Sequence, residues 1–119
     1  MKRTLVVGAS EKQERYSNKA IRMLKERDIP VVAHGNRPGN VEGIPILTDF
    51  STITDVHTVT LYLSAKNQEA FYDPIIALAP KRVIFNPGTA NPVFENLLEE
   101  EGIAVEHSCT LVLLSTGTY

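Results

Sequence analysis

The chain has 119 residues, 43% hydrophobic and 22% charged, with a formal net charge of −2, a size that suits one compact domain and leaves two of them too small. That charge gives no bulk attraction for nucleic acid or an anionic membrane, and no apolar run approaches the roughly 20 residues of a membrane span. The single cysteine, Cys109, excludes an internal disulfide framework, and the N-terminus enters a strand without a signal-peptide pattern, so the expectation is a soluble cytoplasmic protein.

Thr4-Leu5-Val6-Val7 is a short, continuous β-branched and aliphatic run that reads as a strand covered on both faces, ending in the turn Gly8-Ala9-Ser10. The polar stretch Glu11 to Tyr16 reads as a long first loop. Ser17 is placed to cap a helix from about Asn18 to Arg27, in which Ala20, Ile21 and Leu24 recur at helical spacing. Pro30 to His34 reads as a second strand, followed by the densest turn signal in the chain, Gly35-Asn36-Arg37-Pro38-Gly39-Asn40. In a right-handed βαβ unit this loop and the first one converge at the same sheet edge. Val41 to Leu47 reads as irregular or briefly extended, and Asp49 to Thr54 as a short helix.

Thr58 to Leu63 is rich in β-branched residues and reads as a third strand. Ala65 to Leu78 fits one helix bent at Pro74, or two pieces with Asp73 as N-cap and Pro74 at the first helical position. Arg82 to Phe85 reads as a fourth strand and Ile103 to Val105 as a fifth. Between them, Asn91 and Pro92 mark a helix start and Gly102 its stop. Leu111 to Leu114 is an apolar patch that fits a buried strand or a helical turn, or a contact with a second copy. The order predicts a single doubly wound, Rossmann-like α/β domain over residues 1–119 with a mainly parallel five-stranded sheet.

Ligands of such sheets sit outside the carboxyl ends of the strands. The loops expected there contain Gly8, Ala9 and Ser10, then Asn36, Arg37 and Pro38, then Leu63 and Ser64, then Asn86 and Gly88. Backbone amides at Gly8 to Ser10, the Ser10 hydroxyl and the start of the first helix suit a phosphate, with Lys12 or Arg15 adding charge. An NAD site wants an acidic residue after the second strand, where this chain has His34-Gly35-Asn36-Arg37. Arg37, with its planar fork, is matched instead to an extra phosphate on the ribose, as in NADP or coenzyme A. His34, His57 and His107 have no spacing that suggests a metal site, and no serine, histidine and acid grouping suggests a nucleophilic triad. Glu99-Glu100-Glu101 reads as a solvated face, and Cys109 as a small buried residue.

Val7-Gly8-Ala9-Ser10, Tyr16-Ser17-Asn18-Lys19-Ala20, Gly35 to Gly39 with Gly43 to Ile46, Asn86-Pro87-Gly88 and Cys109 to Val112 together resemble the small coenzyme A-binding protein family. Its fold is shared with the N-terminal CoA-binding domain of the succinyl-CoA synthetase alpha subunit. The resemblance implies CoA phosphates over the first turn, with Ser10 and the helix entered through Ser17 beneath them. It implies that Arg37 and Pro38 border the nucleotide and that Leu63 and Ser64 flank the cofactor. The chain has no ATP-grasp domain and no downstream phosphoryl-carrying histidine, so the resemblance implies a CoA or acyl-CoA binding module without catalysis of its own. Such a module leaves room for a partner enzyme subunit or a homo-oligomer. The competing readings are an NADP-linked sensor or reductase fragment, and an interaction module whose nucleotide cleft is vestigial.

Overall fold

Three four-residue runs, Thr4–Val7 (β1), Thr58–Leu61 (β5) and Arg82–Phe85 (β6), are buried at every position, as strands covered on both faces must be. The computed structural model describes residues 2–119. Between β1 and β5 lie α1 (Tyr16–Glu26), β2 (Val31–His34), β3 (Gly39–Val41), β4 (Ile44–Leu47) and a 3-10 turn at Phe50–Thr52. After β5 come α2 (Ala65–Gln68), a 3-10 turn at Glu69–Phe71 and α3 (Tyr72–Leu78). After β6 come α4 (Pro92–Glu100), β7 (Ala104–His107) and α5 (Thr110–Ser115). One seven-stranded sheet runs in the order β3-β4-β2-β1-β5-β6-β7, parallel throughout except for the β3–β4 pair.

Alternation along the strands divides the core between the two sheet faces. Leu5, Val7, Val59, Leu61, Val83 and Phe85 pack against Ile75 of α3 and Phe94 and Leu98 of α4. Val6, Ala33 and Ile46 pack against Ile21 and Leu24 of α1 and Leu114 of α5. The two helices on that second face are tied where Arg27 Nε donates to the Leu114 carbonyl at 3.1 Å. Leu114 is therefore core, while Val112 stays exposed. The C-terminal patch completes the fold as a short helix.

Several local expectations are corrected. The sheet has seven strands and not five, because Gly39–Val41 is itself a strand and Ile44–Leu47 doubles back to pair with it. The reversal runs through Glu42 and Gly43, both at positive φ (48° and 89°), the pair of left-handed residues that a two-residue hairpin turn demands. Ser17 does not cap α1. The helix begins at Tyr16, Arg15 flanks it without a side-chain cap, and Ser17 is buried within the first turn. Ala65 to Leu78 breaks at a 3-10 turn, and Phe71, not Asp73, precedes α3. Asn91 does cap α4, its side chain accepting from the Phe94 amide at 3.2 Å with Pro92 at the first position.

Candidate functional site

The chain leaves β1 toward β2 on one side and later adds β5 on the other, so the direction of strand addition reverses at β1. Loops parted in this way leave a crevice over the carboxyl ends of the strands. The loops after β1, β2, β5 and β6 surround a cleft of about 790 Å³ there. It is lined by Gly8, Ala9, Ser10, Lys12, Ser17, Asn36, Arg37, Pro38, Leu63, Ser64 and Gly88. Of the residues expected there, Asn86 alone is missing. It is buried beneath the cleft, where Nδ2 donates to Thr60 Oγ1 (2.6 Å) and the Leu61 carbonyl (2.9 Å), and Oδ1 accepts from the Thr110 amide (2.8 Å).

Close backbone approach shapes the floor. Gly8 has φ +93°, and a Cβ there would lie 3.0 Å from the Tyr62 carbonyl oxygen. Only glycine takes that conformation and that space without strain. The amides of Gly8 and Ala9 both donate to the His34 carbonyl, at 3.0 and 2.9 Å. This corrects the expectation that those two amides cradle a phosphate, since they already hold the β1 turn to the end of β2. Ser10 Oγ accepts from the Lys12 amide at 3.1 Å, which leaves its own proton free to donate. Asn18, buried in α1, donates to the Ser10 carbonyl at 2.8 Å and accepts from Arg22 Nε at 2.8 Å, fastening the first loop to the helix.

The positive potential is concentrated on one side. Lys12, Arg15 and Arg37 are exposed around the cleft, and no ion pair among the described residues involves them. Tyr16 and Ser17 bring the uncapped first turn of α1 to the same wall, where the helix dipole and unpartnered amides favour an anion. Glu11 also lines the cleft, but its carboxylate is occupied by the Asn40 amide at 3.0 Å. The opposite wall, from Leu63 and Ser64 to Pro87, Gly88 and Thr89, carries no charged side chain. No cluster of histidine, cysteine and acidic residues suited to a metal exists among the described residues.

His34 closes the cleft at the β2 end. It is buried, 4.2 Å from Phe50 and 5.2 Å from Phe71 between ring centroids. Burial lowers its pKa below 6.5, against the opposing influence of a hydrogen bond to the Thr48 backbone and the nearby Asp49 charge. An NMR titration should therefore find that the His34 imidazole takes up its proton below pH 6.5. Stability contributed by the neutral ring is present above the unfolded value and is lost as pH falls through the folded one. The Tyr62 hydroxyl is buried without a hydrogen-bond partner, the neighbouring Thr60 and Thr110 hydroxyls being bonded to each other at 2.8 Å. Burial pushes the phenol up to about 12.

Sequence reasoning did not place Tyr16, Ile46, Tyr62, Asn67, Phe71 or Thr89 in the site. Starting α1 two residues earlier would have brought in Tyr16, whereas Ile46 and Phe71 arrive from the unrecognised β4 and the 3-10 turn before α3. Cys109 is half-buried at the start of α5, outside the residues that line the cleft.

A parallel sheet whose strand order reverses at β1, with a glycine-floored cleft over that reversal, defines a Rossmann-like α/β domain. The family model described as CoA binding domain matches residues 2–115, and the chain belongs to that family. A crystal structure of a protein described as uncharacterized is 44% identical, with a TM-score of 0.96 over 100% of this chain and 98% of that one. The cell-free ID.343 protein from Thermus thermophilus is 21% identical, with a TM-score of 0.88 over 99% and 90% of the two chains. A hypothetical protein from Pyrococcus horikoshii OT3 is 24% identical, with a TM-score of 0.88 over 97% and 82%. The last two are likenesses of fold. No curated protein matches the chain.

Proposed function

We propose that the chain binds coenzyme A or an acyl-CoA in this cleft and carries out no chemistry of its own. The observation that carries this reading is the convergence of three unpaired cations and an uncapped helix start on one wall, opposite an uncharged wall. Coenzyme A has the matching asymmetry, with a cluster of phosphates at one end and an uncharged arm at the other. Ser10 and the first turn of α1 receive the diphosphate, with Lys12 beside it. Asn36, Arg37 and Pro38 border the nucleotide, and Arg37 takes the phosphate on the ribose. Leu63, Ser64 and Gly88 flank the arm.

Calorimetric titration tests this directly. CoA is expected to bind more tightly than dephospho-CoA by about tenfold, near 1.4 kcal/mol, and Arg37→Ala is expected to abolish that difference. No heat with CoA at millimolar concentration overturns the reading, and equal affinity for the two ligands in the wild type removes the role of Arg37. The same arginine suits the ribose phosphate of NADP, so a preference for NADP over CoA in the same titration supports a nicotinamide-linked function instead.

A further inference from the structure

Behind the uncharged wall lies a side chain that does not touch the cleft. Gln68, at the end of α2, is fully buried. Its Nε2 donates to the carbonyls of Leu63 (2.9 Å) and Thr89 (2.7 Å), and its Oε1 accepts from Asn91 Nδ2 (3.0 Å). Both amide protons are therefore used, on two carbonyls that belong to different loops. The reverse orientation would set the Gln68 oxygen against two carbonyl oxygens and its nitrogen against another donor, so the network admits one orientation only. Asn91 is held in turn, its Nδ2 also donating to Tyr72 Oη at 2.8 Å while its Oδ1 caps α4.

The consequence for the cleft is geometric. Leu63 and Thr89 both line it, one from the loop after β5 and the other from the loop after β6. Sheet pairing between β5 and β6 ends at Leu61 and Phe85. Beyond that point one buried amide joins the two loops through both of its protons. Buried polar groups satisfied in this way rigidify their surroundings, and removing the donors takes a partner from the buried Thr89 carbonyl and the half-buried Leu63 carbonyl.

We propose that Gln68 is a positioning residue that sets the spacing of the uncharged wall and thereby governs how the uncharged arm of the ligand is held, a proposal that rests on the CoA reading above. The charged wall is built from the β1 and β2 loops and the start of α1, and the hydrogen bonds of Gln68 reach none of them. Loss of its donors therefore affects one end of the ligand and spares the other, which a general loss of stability would not do.

The test compares CoA with adenosine 3′,5′-bisphosphate, which keeps the nucleoside, the ribose 3′-phosphate and the first 5′-phosphate and lacks the second phosphate and the arm. In Gln68→Met, which keeps the length and removes the donors, the Kd for CoA is expected to rise by about tenfold while that for the bisphosphate changes by less than about twofold. In the wild type, the Gln68 side-chain amide protons are expected to shift in NMR spectra on adding CoA and not on adding the bisphosphate. Equal weakening of both ligands, or no weakening in a folded variant, overturns the proposal. Should Gln68→Met fail to fold, the wild-type spectra decide, and identical responses to the two ligands overturn it. A wild type that binds the bisphosphate and CoA, with Gln68 unresponsive, sinks this proposal alone. A wild type that binds neither overturns the CoA reading and this proposal with it.

Discussion

Asn86→Ala is expected to lower the unfolding free energy by about 2–4 kcal/mol, because it leaves the Leu61 carbonyl and the Thr110 amide buried without the partner each now has. Asn86 is 3% exposed and joins three elements, with bonds to Thr60 and Leu61 of β5 and to the first residue of α5 from its own place after β6. With Asn86 so little exposed, the cost is that of desolvated groups and exceeds the net worth of ordinary hydrogen bonds. Urea denaturation measures it. The residue was expected from sequence to touch the cofactor. Its position beneath the cleft instead leads to an unfolding midpoint that moves far, with CoA affinity of the folded fraction changed by no more than about threefold. A large affinity loss at unchanged stability would reverse that assignment.

Gly35→Ala is expected to weaken ligand binding strongly while Gly39→Ala leaves it nearly intact. A Cβ on either residue meets an atom at 2.6 Å, but the atoms differ in kind. At Gly35 it is the Ala9 carbonyl oxygen, with Ile46 Cγ2 a further 3.0 Å contact. Backbone cannot rotate away, so the turn after β1 must move, at a cost of about 1–3 kcal/mol for an overpacked site. That turn is the floor of the cleft, and a CoA affinity loss of more than about tenfold is expected. At Gly39 the near atom is the Glu11 Cδ. This exposed side chain can swing out, losing its hydrogen bond to the Asn40 amide, worth about 1 kcal/mol. Thermal melts and CoA titrations of the two variants side by side check the contrast. A mild Gly35→Ala would mean that the β1 turn is mobile.

The parallel core was legible because β1, β5 and β6 are runs dominated by β-branched and aliphatic residues and buried on both faces, a pattern written in consecutive residues. The start of α4 was legible because Asn91 and Pro92 act within a turn of their own positions. The β3–β4 hairpin was not, since Gly39 and Pro45 are poor strand formers and its reversal depends on Glu42 taking a left-handed conformation that nothing in its identity announces. Ser17 misled for a tertiary reason. Asn18 and Arg22 anchor the first loop to the helix, which lets the helix start at Tyr16 and draws Ser17 inside. The loops around the cleft could be named from strand order alone. Which of their side chains face it depended on partners far along the chain, as Asn86 shows by meeting Thr110. Gln68 gave no signal, because a buried glutamine reads from sequence like any exposed one.

The single carbonyl of His34 that receives the amides of both Gly8 and Ala9 has a kinetic meaning as well. Two strand ends are locked to each other by the protein's own hydrogen bonds, so the floor is in its final shape before a ligand arrives. A preorganised receptor avoids the ordering cost of an induced loop. Association is then expected to follow one phase whose rate falls with ionic strength, as capture by the three cations of one wall does, without a slower step of loop folding behind it.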